Sequence, residues 1–268
     1  MKMFWHEIRS TYKGLLAWIA GVLFFQLSGY SKYEGFKQSS TGSLTSIAGA
    51  FPKPLLVLFG MYDLDFVTLI GYFGILYVFF VLIAAIHAGL LGAGIVAKEE
   101  RDKTSEFLYT RPVSRSQALN AKLLAGVVNV LVMFAVIAIS SVVAVAIVNN
   151  HNYNLSGQVV NLMWGLLVFQ VFFFAMGFMF AGIFKRPKLP TLAVTVAIVG
   201  SYFVSALSQL NNNLNWLRFV TPFRWMAAPS IIHAGHVAYG YLALAAGLSI
   251  LFVILGYIFY NHRDITVA

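Results

Sequence analysis

The sequence contains no cysteine, and charged residues make up only 10% of its 268 residues. The lack of cysteine excludes a disulfide framework and any metal site with thiolate ligands. A water-soluble domain normally has about a quarter charged residues, so the shortage of charge argues against a soluble protein. Hydrophobic residues make up 60% of the chain and occur in long runs. This composition indicates an integral membrane protein.

The hydrophobic runs predict six membrane-spanning helices. A helix needs about 20 apolar residues to cross the hydrocarbon core, whereas the strands of a membrane barrel alternate apolar and polar residues. The runs here are apolar on all sides, which favours helices. We therefore predict an all-α membrane protein, with one transmembrane domain over residues 1–268 and spans at about 14–30, 66–96, 123–148, 159–184, 189–208 and 241–260.

Two further segments are apolar or aromatic without reading as spans. Residues 44–60 are interrupted by Pro52, Lys53 and Pro54, which favours an interfacial or re-entrant helix. Residues 211–240, before the sixth span, are rich in aromatic residues. They are expected to form either an aromatic belt at the membrane interface or a re-entrant helical pair that acts as an external gate.

The distribution of basic residues predicts the orientation of the chain. With six spans, thirteen of the 18 lysines and arginines fall on the side that holds both termini and the loops 98–122 and 185–188. Positive charge concentrates on the inner side of membrane proteins, so both termini are expected in the cytoplasm, with the chain in the plasma or inner membrane. The net charge of +9 is then explained by topology, and no nucleic-acid partner is expected.

Several features of energy-coupled or catalytic proteins are missing. None of the nine acidic residues lies inside a predicted span, whereas ion-coupled transporters place ionisable groups at membrane depth. His87 alone lies in an apolar run, and we interpret it as a satisfied polar group near the inner end of the second span. No G-x-x-x-x-G-K-[ST] loop is present, so ATP hydrolysis by this chain, and any cofactor bound to it, is not expected.

The segment 98–117 is the most informative part of the sequence. It packs acidic and basic residues around three adjacent large side chains, Phe107, Leu108 and Tyr109. Pro112 is expected to stop a helix, and Ser114 followed by Gln117 predicts a capping box that opens the next helix. A short charged helix with apolar anchors suits docking to a partner protein. The alternative is a solvated connector whose charges only set topology.

The first 13 residues predict a second surface element. Apolar Met3, Phe4 and Ile8 alternate with basic residues such as Arg9, and Trp5 lies beside them. This pattern is typical of an amphipathic helix on the inner membrane surface, in contact with lipid. The alternative is a frayed terminus.

The segment 98–117 resembles the loop after the second span in permeases of the type-2 ATP-binding-cassette exporters. The family pattern, close to E-E-x-x-x-T-x-E-x-L-x-x-x-P-V-S-R, appears here as Glu99, Glu100, Thr104, Glu106, Leu108, Pro112, Val113, Ser114 and Arg115. Lys122 matches a frequent lysine of the family, whereas Lys103 stands where the family often has glycine. The N-terminal segment around Phe4, Trp5, Ile8 and Arg9 also resembles the interfacial helix of the family.

The resemblance implies a permease subunit that exports cargo at the expense of ATP. It implies a second permease, either another copy or a homologue, and two copies of a separate ATPase that carry the ATP and magnesium. The segment 98–117 is then a coupling helix that docks on the ATPase. The phenylalanine-rich spans suit amphipathic or hydrophobic cargo such as a peptide, an antibiotic or a lipid, and they suit phenylalanines that face the membrane lipid equally well.

Two other functions remain open on the sequence alone. A sensor or scaffold subunit that does not transport would use the same segment to bind a cytoplasmic partner. A membrane-embedded enzyme would need several catalytic groups at one membrane depth, for which His87 alone is insufficient.

Overall fold

The computed structural model describes residues 2–33, 35, 51–65, 68–101, 114–150 and 154–262, with only the backbone of residues 2, 99–101 and 212. The described chain is helical. The α-helices are α1 (Lys2–Ser31), α2 (Lys53–Leu58), α3 (Leu69–Arg101), α4 (Arg115–Val148), α5 (Ser156–Ile183), α6 (Leu189–Leu210), α7 (Pro222–Trp225), α8 (Ala228–Ala234) and α9 (Tyr239–His262). A 3₁₀ helix covers Asn212–Phe219.

Six of these helices are long and apolar enough to cross a membrane, which confirms the predicted six-helix architecture. They are α1, α3, α4, α5, α6 and α9. Helix α4 begins at Arg115, eight residues before the expected span. Ser114 caps its first turn, so the helix continues beyond the apolar run.

Helices α3 and α5 form the centre of the bundle. About two thirds of the most apolar part of each is buried, 67% in α3 and 61% in α5, against 17% in α1 and in α9. Glycines let α3 and α5 approach each other closely, since a methyl group at Gly177 would lie 2.2 Å from the Gly89 carbonyl oxygen. Gly89 and Gly177 therefore serve close packing of the two helices.

The packing pairs show that alternate long helices run in the same direction. Glu7 and Gln26 of α1 lie beside Lys122 and Ser141 of α4 respectively, so α1 and α4 are parallel. Helices α5 and α9 are parallel by the same argument, because Phe172 packs on Phe252 and Gly182 lies against Gly256, which is nearer the end of each helix. One end of the bundle thus holds the start of α1, the end of α3 and the start of α4. The segment 98–117, which joins α3 to α4 there, is called the hairpin, and the adjoining parts of α3 and α4 are its two arms. We call this end of the bundle the hairpin end, and the opposite end the far end.

The N-terminal segment and the first span are one helix, not two. Helix α1 runs from Lys2 to Ser31 without a break, whereas the sequence predicted a separate interfacial helix before a span at 14–30. Gly14 was the expected boundary, but a single glycine lowers helix stability by only about 1 kcal/mol. The contacts of α1 with α4 on either side of Gly14, Glu7 with Lys122 and Gln26 with Ser141, favour a continuous helix.

At the far end, short helices cover the bundle. Helix α2 is six residues long, with Pro52 at its N-cap and Pro54 in its first turn, so the described part of the predicted segment 44–60 does not span, while residues 44–50 lie outside the described residues. The Tyr202 hydroxyl of α6 donates a hydrogen bond to the Leu58 carbonyl oxygen at the end of α2. Helices α7 and α8 lie between α6 and α9 in the chain and contact the bundle core.

The aromatic residues before the last span divide into two groups. Phe223 and Trp225 are buried, 9% and 4% exposed, with Phe223 packed edge-on against Phe169 of α5. Trp216 and Phe219 are more than half exposed. The buried pair fits a segment that inserts into the bundle, and the exposed pair fits an interfacial belt.

Candidate functional site at the hairpin end

Most of the predicted docking residues lie outside the described part of the chain. These are Thr104, Glu106, Phe107, Leu108, Tyr109 and Pro112. Glu99 and Glu100 lie in the last turn of α3, where only the backbone is described. Their role in docking stays a prediction, and the described residues show how the two arms of the hairpin join the bundle.

The second arm begins with the predicted capping box. The Gln117 amide donates to Ser114 Oγ at 3.2 Å, and the Ser114 amide donates to Gln117 Oε1 at 3.3 Å. This arrangement satisfies two amides that the first turn of α4 leaves without helical partners. Next to it, Arg115 Nη1 donates to the Asn261 carbonyl oxygen at 3.4 Å, so the start of α4 contacts the end of α9.

Both arms of the hairpin enter one buried apolar cluster, which we call the base cluster. Five long helices contribute to it. Its buried members are Ile95 and Val96 of α3, Leu119 and Ala125 of α4, Phe178 and Ala181 of α5, and Tyr260 of α9, with Phe4, Ile8, Leu123 and Tyr257 packed against them. Because protein interiors are close-packed, a displacement of either arm must be accommodated by the other helices of this cluster.

A buried ion pair lies beside the base cluster. Lys122 Nζ donates to Glu7 Oε1 at 3.1 Å, and the two side chains are only 1% and 2% exposed. The same ammonium group donates to the Ile95 carbonyl oxygen at 2.8 Å. One cation thus joins α1, the end of α3 and the start of α4. Hydrogen bonds to charged groups are shorter and stronger than neutral ones, so this contact links the three helices more strongly than a neutral hydrogen bond would.

The N-terminal residues contact the bundle with one side of α1. Phe4 and Ile8 pack on the base cluster, whereas the prediction placed the apolar side of this segment in lipid. Glu7 lies on the same side of α1 and is buried beside Lys122, so this side faces the bundle and not the lipid. Trp5 and Arg9 are exposed, and their contact with lipid headgroups stays a prediction.

Polar contacts continue along α1 and α4 above the ion pair. Asn129 Nδ2 donates to Thr11 Oγ1 at 3.1 Å, and Gln26 Nε2 donates to Ser141 Oγ at 2.9 Å. His87 of α3 is buried as expected, 3% exposed, with Trp18 packed edge-on against its ring. Within the described residues its Nδ1 atom has no hydrogen-bond partner. This differs from the prediction, which expected the polar atoms of the ring to be satisfied.

The sequence analysis missed this ion pair, because it counted Lys122 among the basic residues of the inner side and took Glu7 only as one of the acids outside the predicted spans. A signal for their burial is present in the spacing of α4. Lys122 lies three residues after Leu119 and four before Gly126, on a face that is otherwise buried. A lysine on the buried face of a helix requires an anionic partner. The single acid of the N-terminal segment, Glu7, is the candidate that this reasoning would have named.

The two histidines near the far end do not converge on a common site. His233 Nδ1 lies 3.9 Å from Asp63 Oδ2, while His236 contacts the Ala234 carbonyl oxygen at 2.9 Å. Within the described ranges, no group of three or more metal-ligating side chains is present. Coordination of a metal by the pair, which their spacing allows, gains no support from these contacts.

Comparison with known proteins identifies the family. A family model described as ABC-2 family transporter protein matches residues 1–265. No curated protein sequence matches the chain significantly. The family match covers nearly the whole chain, including all six long helices and the hairpin between α3 and α4. The chain is therefore a multi-pass membrane protein that belongs to the ABC-2 family of transporter proteins, as a permease.

Proposed function

We propose that this permease is the membrane subunit of an ATP-driven exporter, and that a separate ATPase docks on its hairpin at residues 98–117. Permeases of this family generally work with ATP-binding subunits. The sequence contains no phosphate-binding loop of its own. The energy for transport therefore comes from the partner, on which ATP and magnesium are bound.

The observation that carries the proposal is the base cluster. Ile95 and Val96 precede the hairpin directly, and Leu119 follows it by two residues, so both arms are packed into the same group of side chains. Phe178 of α5 and Tyr260 of α9 belong to that group as well. Displacement of the hairpin by an ATPase would thus reach the central helix α5 without a long chain of intermediate contacts.

The charge distribution supports a cytoplasmic hairpin end, where ATP is available. The exposed turn between α5 and α6 contains Lys185, Arg186 and Lys188, and exposed Arg9 and Lys13 lie near the start of α1. Basic residues concentrate on the inner side of membrane proteins. In the proposed orientation both termini are cytoplasmic, and the short helices at the far end face the outside.

An apolar groove supports amphipathic or hydrophobic cargo. It lies between α1 and α3, has a volume of about 430 Å³ and is lined by Ala17, Trp18, Gly21, Val22, Phe24, Phe25 and Ile83. None of these side chains is charged. Such a groove favours acyl chains or apolar peptide side chains over small polar solutes.

The proposed assembly contains two permeases and two ATPase copies, with lipid as the surrounding partner.

Affinity purification from the native host tests this proposal. The tagged chain, extracted in mild detergent, is expected to co-purify with an ATP-binding-cassette ATPase in stoichiometric amount. Replacing Phe107 and Leu108 by Asp removes the apolar anchors of the hairpin and should abolish this binding. The matched control replaces Phe219 and Val220, an exposed apolar pair at the far end, and should retain the ATPase.

Two results would contradict the proposal. Purification without an ATPase, or with a sensor kinase in its place, would identify a sensor or scaffold subunit. Retention of the ATPase by the Phe107→Asp, Leu108→Asp variant would show that docking occurs elsewhere. Thermal unfolding of each variant in detergent separates loss of binding from loss of the fold.

A further inference from the structure

We propose that Glu7, Lys122 and the Ile95 carbonyl form a clamp that makes the N-terminal part of α1 move together with the hairpin during transport. The inference rests on the proposed function, because it assigns positioning residues to the coupling that the hairpin performs. It concerns residues that lie beside the hairpin and that the docking motif does not include.

The position of the clamp carries the argument. Ile95 lies three residues before Lys98, where the hairpin begins, and Lys122 lies five residues after Gln117, where it ends. The Lys122 ammonium group bonds to the first arm through the Ile95 oxygen at 2.8 Å and to α1 through Glu7 Oε1 at 3.1 Å. The clamp therefore connects both arms of the hairpin to a helix that is distant in sequence.

The chemistry of the clamp favours positioning over stability. A buried ion pair is often no more stabilising than two well-packed apolar residues of the same volume, because both charges lose their hydration. The pair instead fixes the position of α1 relative to α4, since a charge-assisted hydrogen bond restricts the distance and angle between its partners. Phe4 and Ile8 already pack α1 on the base cluster, so burial alone does not require Glu7.

A second polar contact preserves the same alignment farther along the helices. Thr11 lies one turn after Glu7 on α1, and Asn129 lies two turns after Lys122 on α4. Asn129 Nδ2 donates a hydrogen bond to Thr11 Oγ1 at 3.1 Å. Two contacts at different heights oppose sliding of α1 along α4, whereas a single contact would leave a pivot. The start of α1 thus behaves as part of the α3–α4 hairpin body.

Spin-label distance measurement tests the clamp directly, since this chain has no cysteine of its own and can be labelled at two introduced cysteines before the ATPase is added back. Labels at His6 and Ser116, both exposed, report the separation of α1 and α4. The complex with its co-purified ATPase is measured without nucleotide and with ATP plus vanadate. We expect one narrow distance, unchanged between the two states.

Variants separate positioning from stability. Glu7→Gln should broaden the distribution and make its maximum shift with nucleotide, while the ATPase still co-purifies. The double variant Glu7→Gln with Lys122→Met removes both charges together, so that no buried charge is left unpaired, and should broaden the distribution in the same way even if the single variant folds poorly. Lys13→Gln removes an exposed cation from the same helix and should behave as the wild type.

The outcomes distinguish the clamp from the proposed function. A narrow and unchanged distance in Glu7→Gln, or a distance that shifts with nucleotide in the wild type, overturns the clamp while the transporter assignment stands. A narrow and unchanged distance in the double variant Glu7→Gln with Lys122→Met overturns it as well. Absence of any ATPase from the purified wild type overturns the proposed function and the coupling role together.

Discussion

At the scale of single residues, two glycines of α3 show how closely the central helices approach. A methyl group at Gly92 would lie 2.2 Å from the carbonyl oxygen of Phe174 on α5. At Gly94, two residues on, a methyl group would meet no atom within 4 Å. The same residue type therefore serves close packing at one position and not at the other.

Substitution of these glycines is expected to give opposite results. Gly92→Ala forces α3 and α5 apart, and overpacking of this kind costs about 1–3 kcal/mol. Gly94→Ala adds a methyl group in open space and should leave the stability unchanged or slightly raised, because alanine favours helix over glycine. The midpoint of thermal unfolding in detergent measures both. Equal midpoints for the two variants would contradict the close α3–α5 contact.

The same scale shows the limit of reading charges from one sequence. Lys122 reads as a topogenic charge because it stands at the expected start of a span. The helical spacing of Lys122 indicates its burial, but its partner Glu7 lies 115 positions away, and only the packing of α1 on α4 brings the two together. His87 was easier, since an apolar run surrounds it on both sides and predicts its burial.

At the scale of elements, the start of α4 was predictable in detail. The Ser114–Gln117 capping box is a local signal, and both of its hydrogen bonds are present. The junction at Gly14 was not, because continuity of α1 depends on its packing against α4 and not on propensity. Local chemistry thus specified a helix start, whereas tertiary contacts decided whether a helix continued.

The capping box provides a prediction about the hairpin. Ser114→Ala removes the cap and should reduce stability by about 1 kcal/mol, and the first turn of α4 should exchange its amide hydrogens faster. Ser116→Ala changes an exposed serine in the same turn that makes no capping bond and is the matched control. Hydrogen exchange followed by mass spectrometry measures the difference. Equal exchange in the two variants would show that the cap does not hold this arm.

At the scale of the whole molecule, the number and order of the long helices followed from the apolar runs, since helices in lipid must satisfy their backbone internally. The arrangement of those helices did not follow. That α3 and α5 form the centre depends on glycine contacts such as Gly89 with Gly177. The inward direction of Phe223 and Trp225 also depends on packing, so the sequence left two interpretations of that segment open.

The orientation of the whole molecule is open to measurement in intact cells. Single cysteines are introduced into the cysteine-free chain at Ser116 and Lys188 of the hairpin end, and at Lys53 and His233 of the far end, all exposed. A maleimide that does not cross membranes should label the far-end positions in intact cells and the hairpin-end positions only after lysis. The reverse pattern would place the hairpin outside and exclude docking to a cytoplasmic ATPase.

The central claim is that an ATPase docks on the hairpin, and photo-crosslinking in native membranes tests it most directly. A photoreactive amino acid replaces Leu108, and a second variant carries it at Val220, an exposed position of the far end. The account predicts that position 108 forms an adduct with an ATP-binding-cassette ATPase and that position 220 does not. An adduct of position 108 with any other protein, or with none, would contradict the account.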